Sequence, residues 1–175
     1  MGWFRNRRRN QLKEQLIAEG RLQQYKQRFD VQMRNLDDKM KNLKKQIKEA
    51  YERKDEFDTR LKIHQIEEVK TIQQNLRKLL ATLEKADLTK ASQETYQHFI
   101  TQLEQFRQAF QEGNKTRRKE KRKFKKYRKE SSTVADHLEW IDKKVVQMDK
   151  SLDRKDNMTD KALSKIDIDS YVKEL

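Results

Sequence analysis

Residues 22–50, LQQYKQRFDVQMRNLDDKMKNLKKQIKEA, decide the fold. Leu22, Tyr25, Phe29, Leu36, Met40, Leu43, Ile47 and Ala50 recur on alternating steps of three and four, and only the Gln32/Met33 step slips. That period belongs to an α-helix offering one narrow apolar stripe to another helix. The residues between are mostly Lys, Arg, Gln, Asp and Asn. Water cannot satisfy the stripe, so the chain has to pack helix on helix.

A second stripe follows at Ile66, Val69, Ile72, Leu76, Leu79 and Leu83, again on threes and fours. Between the two, YERKDEFD (51–58) has only Tyr51 and Phe57 as apolar side chains. Residues 10–53 and 59–86 are therefore matched amphipathic segments around a polar weak point. They either fold back as an antiparallel hairpin turning near 51–58 or run on as one rod. Residues 10–53 would span about 65 Å, and a continuous helix to Ala86 about 115 Å. No Gly or Pro marks the turn. Upstream, the helical pattern starts near Asn10, with Leu12, Leu16 and Ile17 on one face. Gly20 interrupts it at a cost of about 1 kcal/mol relative to alanine.

Downstream, ADLTKAS (86–92) reads as a break or kink, with Asp87, Thr89 and Ser92 as candidate caps. Another stripe runs through Tyr96, Phe99, Leu103, Phe106 and Phe110, and Gly113-Asn114 reads as a helix C-terminus. Thr133 with Asp136 resembles a capping box ahead of Val134, Leu138, Ile141, Val145, Met148 and Leu152, with Trp140 beside that stripe. KDNMTD (155–160) reads as a loop, and the tail from Lys161 is weakly patterned. The organisation is a basic, aromatic arm (1–9), long coiled-coil helices (10–112), a basic segment (113–130) and C-terminal helices (131–175). The fold class is all-α: an elongated coiled-coil helical hairpin with shorter C-terminal helices.

Composition agrees. The chain has no proline and only Gly2, Gly20 and Gly113, too few turn residues for a β-rich or α/β domain. It is 41% charged and 33% hydrophobic, which allows a thin elongated core rather than a thick one. The net charge of +14 calls for an anionic partner: nucleic acid, acidic lipid or an acidic protein. No apolar run approaches the roughly 20 residues that span a bilayer, and no secretory signal is visible. The expected location is cytoplasmic, peripheral at the cytoplasmic membrane face.

Two segments carry the expected binding chemistry. In MGWFRNRRR (1–9), Trp3 and Phe4 precede Arg5, Arg7, Arg8 and Arg9. Aromatic rings sit at the headgroup boundary while arginines meet lipid phosphates, each basic residue contributing about 1 kcal/mol. Gly2 does not complete a myristoylation pattern, which wants Ser or Thr where Asn6 stands. The second segment is KTRRKEKRKFKKYRK (115–129). Lys115, Arg117, Arg118, Lys119, Lys121, Arg122, Lys123, Lys125, Lys126, Arg128 and Lys129 stand there against Glu120 alone. As a helix this run repels itself, and a polyanion would relieve the repulsion. On lipid it is a polybasic patch; on DNA, about eight neutralised phosphates would give a log–log salt slope near −7.

Catalytic and metal chemistry are not indicated. His64, His98 and His137 are far apart and there is no cysteine, so no metal-ligand spacing arises. Carboxylates alternate with Lys and Arg, the pattern of a solvated surface. No GxxxxGK[ST], GxGxxG or GxSxG occurs. The expectation is a protein that is not an enzyme, with no cofactor and no small-molecule substrate.

The start of the chain, Met-Gly-aromatic-Phe followed by basic residues, resembles the beginnings of ESCRT-III-type proteins, a superfamily with bacterial relatives of the phage-shock and thylakoid-vesicle type. The resemblance is one of layout and covers residues 1 to about 112: a short membrane-active start, a long basic helical hairpin, then shorter helices. It implies polymerisation on anionic membranes and their remodelling, with Trp3 and Phe4 inserting and Arg5, Arg7, Arg8 and Arg9 meeting headgroups. The turn at 51–58 lacks the family's usual glycine, and LSKIDIDSYVKEL (163–175) does not match the family's ATPase-binding peptides. The expected function is a self-associating, homo-oligomeric scaffold on anionic membrane surfaces. The alternatives are a nucleic-acid-binding accessory protein with a coiled-coil oligomerisation region, and a structural subunit docking on an acidic protein.

Overall fold

The computed structural model describes residues 2–111, 133–153 and 163–175. Among them every regular element is helical: α1 (Gly2–Glu52), α2 (Glu56–Lys85), α3 (Gln93–Gln111), α4 (Val134–Leu152) and α5 (Ile168–Lys173). The fold is all-α, built on a helical hairpin of α1 and α2. Residues 2–9, expected as a separate arm, continue α1 without a break.

The two strongest stripes meet as the hairpin seam. Leu22, Phe29, Leu36, Leu43 and Ile47 of α1 share one core with Ile66, Val69, Ile72, Leu76, Leu79 and Leu83 of α2. The pairing is antiparallel. Gln73 Nε2 donates to Asp37 Oδ1 at 2.6 Å near the middle of the seam. Further along, the Leu88 N–H donates to Glu19 Oε2 at 3.0 Å, Gln15 Nε2 to the Ala91 carbonyl at 3.0 Å, and Gln11 to Gln93.

The turn is made without glycine. Lys54 takes the left-handed conformation, with φ 57°. Its N–H donates to the Tyr51 carbonyl and that of Asp55 to the Ala50 carbonyl, both at 3.0 Å, closing the α1 C-terminus as a Schellman motif. Asp55 then caps α2 by accepting the Asp58 N–H at 3.1 Å. A lysine in this conformation costs about 1–2 kcal/mol. Each large apolar side chain buried by folding back contributes about 1.5–3 kcal/mol, so the hairpin outweighs the strain many times over.

Where the seam begins departs from the sequence pattern. Leu12, Leu16 and Ile17 are exposed, and the first buried apolar residue of α1 is Ala18. Those three residues lie roughly 100–160° around the helix from Ala18, so their common side faces away from α2.

The break at 86–92 joins α2 to α3. Buried Leu88, its N–H bond to Glu19 and the bond from Gln15 to the Ala91 carbonyl strap this linker to α1. Ser92 caps α3, its Oγ accepting the Thr95 N–H at 3.2 Å. Thr133 caps α4 as its sequence predicts, accepting the Asp136 N–H at 3.1 Å. Val134, Leu138, Ile141, Val145 and Leu152 complete the shared core together with Phe99, Ile100, Leu103 and Phe110 of α3.

α4 runs parallel to α1. Arg28 Nη2 and Gln32 Nε2 both donate to the buried Asp142 carboxylate at 2.7 Å. Two to three turns on, Lys39 reaches Asp149 at 2.7 Å and Asp153 at 3.1 Å. The slip at Gln32 therefore has a use: a polar residue at the edge of the seam helps satisfy a buried carboxylate from α4. The tail, weakly patterned in sequence, forms α5, capped by Asp167 through the Ser170 N–H at 3.4 Å. It leans on α2, where Lys70 Nζ donates to the Tyr171 hydroxyl at 3.3 Å. Gly113-Asn114, the basic run 115–129 and the 155–160 loop lie outside the described residues.

Candidate anion-binding end and a buried cationic cluster

Gln11 is the first residue of α1 that bonds to α3 among the described residues. Residues 2–10 carry the helix about 14 Å further. On this overhang Arg5, Arg7, Arg8 and Arg9 are all exposed, and Trp3 is 67% exposed. Phe4 lies in the same helical turn. The Arg7 guanidinium stacks 5.7 Å from the Trp3 ring centre. The pair presents an aromatic body and a cation side by side, the combination suited to a headgroup boundary.

The electrostatics of this end oppose helix stability. α1 has no acidic residue in its first turn. A helix N-terminus already carries about half a positive charge, and four arginines add to it. The same sum makes the end a strong attractor for phosphate or carboxylate groups. The structure thus gathers Trp3, Arg5, Arg7, Arg8 and Arg9 on one projecting helix end. Lys115, Arg117, Arg118, Lys119, Lys121, Arg122, Lys123, Lys125, Lys126, Arg128 and Lys129 lie outside the described residues.

A second cluster was missed by the pattern of apolar residues. Arg107 is 1% exposed, buried between α3 and α4. Its Nη1 donates to Nδ1 of buried His137 at 3.0 Å, and its guanidinium lies 4.6 Å from the Trp140 ring centre. Accepting at Nδ1 requires neutral imidazole with the proton on Nε2. Burial, and then the Arg107 cation, push the His137 pKa down to about 4, against a smaller opposing pull from Asp136. Arg107 stands four residues after Leu103 and seven after Ile100, on the buried stripe of α3. An arginine on such a stripe is the sequence signal of a buried cation. The cluster ties α3 to α4.

An open cleft of about 560 Å³ lies at the hairpin turn, bordered by Tyr51, Glu52, Asp55, Glu56, Ile166 and Asp167. Asp55 and Asp167 there are engaged as helix caps and Glu56 pairs with Arg60 at 3.5 Å. Among the described residues no three His, Cys, Asp or Glu side chains converge as a metal site, and no helix is long and apolar enough to cross a membrane.

No protein-family model matches this chain, and neither a curated protein nor a solved structure shows significant similarity to it. The functional reading therefore rests on the residues and their geometry.

Proposed function

We propose that the protein is a non-enzymatic, self-associating helical scaffold, organised like the ESCRT-III-type proteins, that docks peripherally on anionic membrane surfaces and polymerises on them or remodels them. The observation that carries this reading is the overhanging end of α1, where exposed Trp3 stands beside four exposed arginines. That charge distribution opposes the dipole of α1, which has no acidic residue in its first turn. An anionic lipid surface neutralises the arginines, accepts the dipole and takes the indole at its headgroup boundary. Two signals, aromatic insertion and basic charge, suit reversible peripheral binding, and several copies in one assembly multiply it. The basic run 115–129 adds charge to the same chain.

The test is co-sedimentation with vesicles of phosphatidylserine and phosphatidylcholine. Full-length protein pellets with anionic vesicles and not with neutral ones, and deletion of residues 1–9 abolishes the pelleting. In a Trp140→Phe background, vesicles blue-shift Trp3 emission. Unchanged pelleting after the deletion would end the reading. Binding to DNA or RNA but not to vesicles would transfer it to the nucleic-acid alternative.

A further inference from the structure

We propose that the outward side of α1 from Arg5 to Ile17 lies flat on an anionic lipid surface, so that the hairpin meets the membrane along its flank and not by its tip alone. The inference rests on the membrane reading above and gives that contact its extent and its orientation.

At about 100° per residue, Arg5, Arg9, Leu12, Lys13, Leu16 and Ile17 fall within about 140° of arc, on the side of α1 away from the hairpin seam. All six are exposed. Leu12, Leu16 and Ile17 are 54%, 60% and 63% exposed, three large apolar side chains within two turns of one helix. The bonds that fasten this stretch to the linker and to α3 leave from Gln11, Gln15 and Glu19, all off the arc. The stretch from Arg5 to Ile17 is about 18 Å long.

Charge says what covers it. Between Gly2 and Phe29 the chain has only two acidic residues, Glu14 and Glu19, and both lie outside this arc. Glu19 accepts the Leu88 N–H of the linker. Glu14 lies close enough to Tyr96 of α3 to add to the rise in that phenol's pKa that burial causes first. The arc itself therefore carries Arg5, Arg9 and Lys13 and no carboxylate. Beyond it the same side of α1 alternates in sign through Asp30, Arg34, Asp38 and Lys41, so the purely cationic stretch stops where the exposed leucines and isoleucine stop.

Apolar side chains interleaved with cations are the pattern of a helix lying in the plane of a membrane interface. Leu12, Leu16 and Ile17 enter the headgroup–acyl boundary. The aliphatic stems of Arg5, Arg9 and Lys13 lie along it while their charged heads reach the phosphates. A nucleic-acid backbone would take the cations and leave the three apolar side chains in water. Pairing the stretch with itself would set its cations against their own kind, and the alternating remainder of the arc offers no negative surface to receive them.

The chain has no cysteine, so one label can be placed at will. In the full chain, Leu16→Cys carrying an environment-sensitive fluorophore shifts to the blue on vesicles of phosphatidylserine and phosphatidylcholine and is quenched by spin-labelled lipid. The same label at Lys44→Cys, off the arc, does neither. Leu16→Glu weakens vesicle binding at least tenfold with unchanged circular dichroism, and Lys13→Glu weakens it while Lys13→Arg does not. A wild-type chain that ignores anionic vesicles overturns this proposal together with the membrane reading. A shift in Trp3 emission with the label at residue 16 still in water, and binding that survives Leu16→Glu, overturn the flank contact and leave anchoring by the tip standing. Equal binding to neutral vesicles overturns a surface selected by charge. Oligomers in lipid-free solution that Leu16→Glu dissociates, with vesicle binding unchanged, assign the side to a second copy and overturn the lipid contact.

Discussion

Within α1, residues 18–50 bury Ala18, Leu22, Phe29, Leu36, Leu43, Ile47 and Ala50, whereas Trp3, Leu12, Leu16 and Ile17 of the same helix stay exposed. Both stretches are helical, and both repeat apolar residues at helical intervals. Their surroundings differ. The first is covered by α2 and by α4; the second extends along and past the linker to α3. Helix formation and burial are thus separable properties here. The covered stretch is held by packing, and the uncovered one is an extension whose large apolar side chains stay exposed. Charge follows the same division. α2 has Glu56 and Asp58 in its first turn and Lys85 in its last, matching its dipole, while α1 begins with arginines.

The largest effect that separates the two stretches is a charge in each. Leu43→Asp places a carboxylate in the seam at a residue 5% exposed and is expected to cost about 3–5 kcal/mol in urea denaturation. Leu12→Asp, at a residue 54% exposed, should stay within about 0.5 kcal/mol. Equal losses would show that the stretch around Leu12 is covered after all.

Acid comes next. His137 titrates near 6.5 when unfolded and about 4 when folded, so between those values the unfolded chain binds more protons. Stability is therefore full above pH 6.5 and declines as pH falls toward 4, by about 3 kcal/mol in all. Urea midpoints measured from pH 7 to pH 4 should follow that slope, and His137→Gln should flatten it.

Asp142→Ala removes the acceptor shared by Arg28 and Gln32 and should cost about 2 kcal/mol. Hydrogen exchange should show the loss concentrated in α4, with the hairpin seam still protected. Lys54→Gly relieves the left-handed strain at the turn and should raise stability by about 1 kcal/mol in thermal melts. The smallest effect is at the overhang. Arg5→Glu should improve the α1 N-terminus by a few tenths of a kcal/mol while weakening binding to anionic vesicles. Opposite signs in those two measurements would confirm that the arginines serve a partner rather than the helix.

Several elements are legible in the residue spacing alone. The stripes at 22–50 and 66–83 form the seam, Thr133 forms the α4 cap, and the interruption at 86–92 forms the link to α3. Others are hidden for specific reasons. The turn carries no glycine, because strain of about 1–2 kcal/mol at Lys54 is small beside the seam it allows to close. The slip at Gln32 reads as a defect in the heptad pattern, and its partner Asp142 comes from more than a hundred positions away. Arg107 stands on the apolar stripe of α3, but its partner His137 is hidden, since pairing between α3 and α4 leaves no mark in either segment alone.

By itself the amino-acid order determined that this protein is helical, where its longest apolar stripes lie, and that it is strongly basic. Those are local properties, set by residue spacing and composition. Tertiary structure alone decided that the two long stripes close on each other, that α4 joins them through Asp142, and that Leu12, Leu16 and Ile17 look outward. A helix repeats every 3.6 residues whatever it meets, so periodicity reports that a face exists but not what covers it. Only the position of the turn and the reach of the following helices settle which face is buried and which is left for a partner.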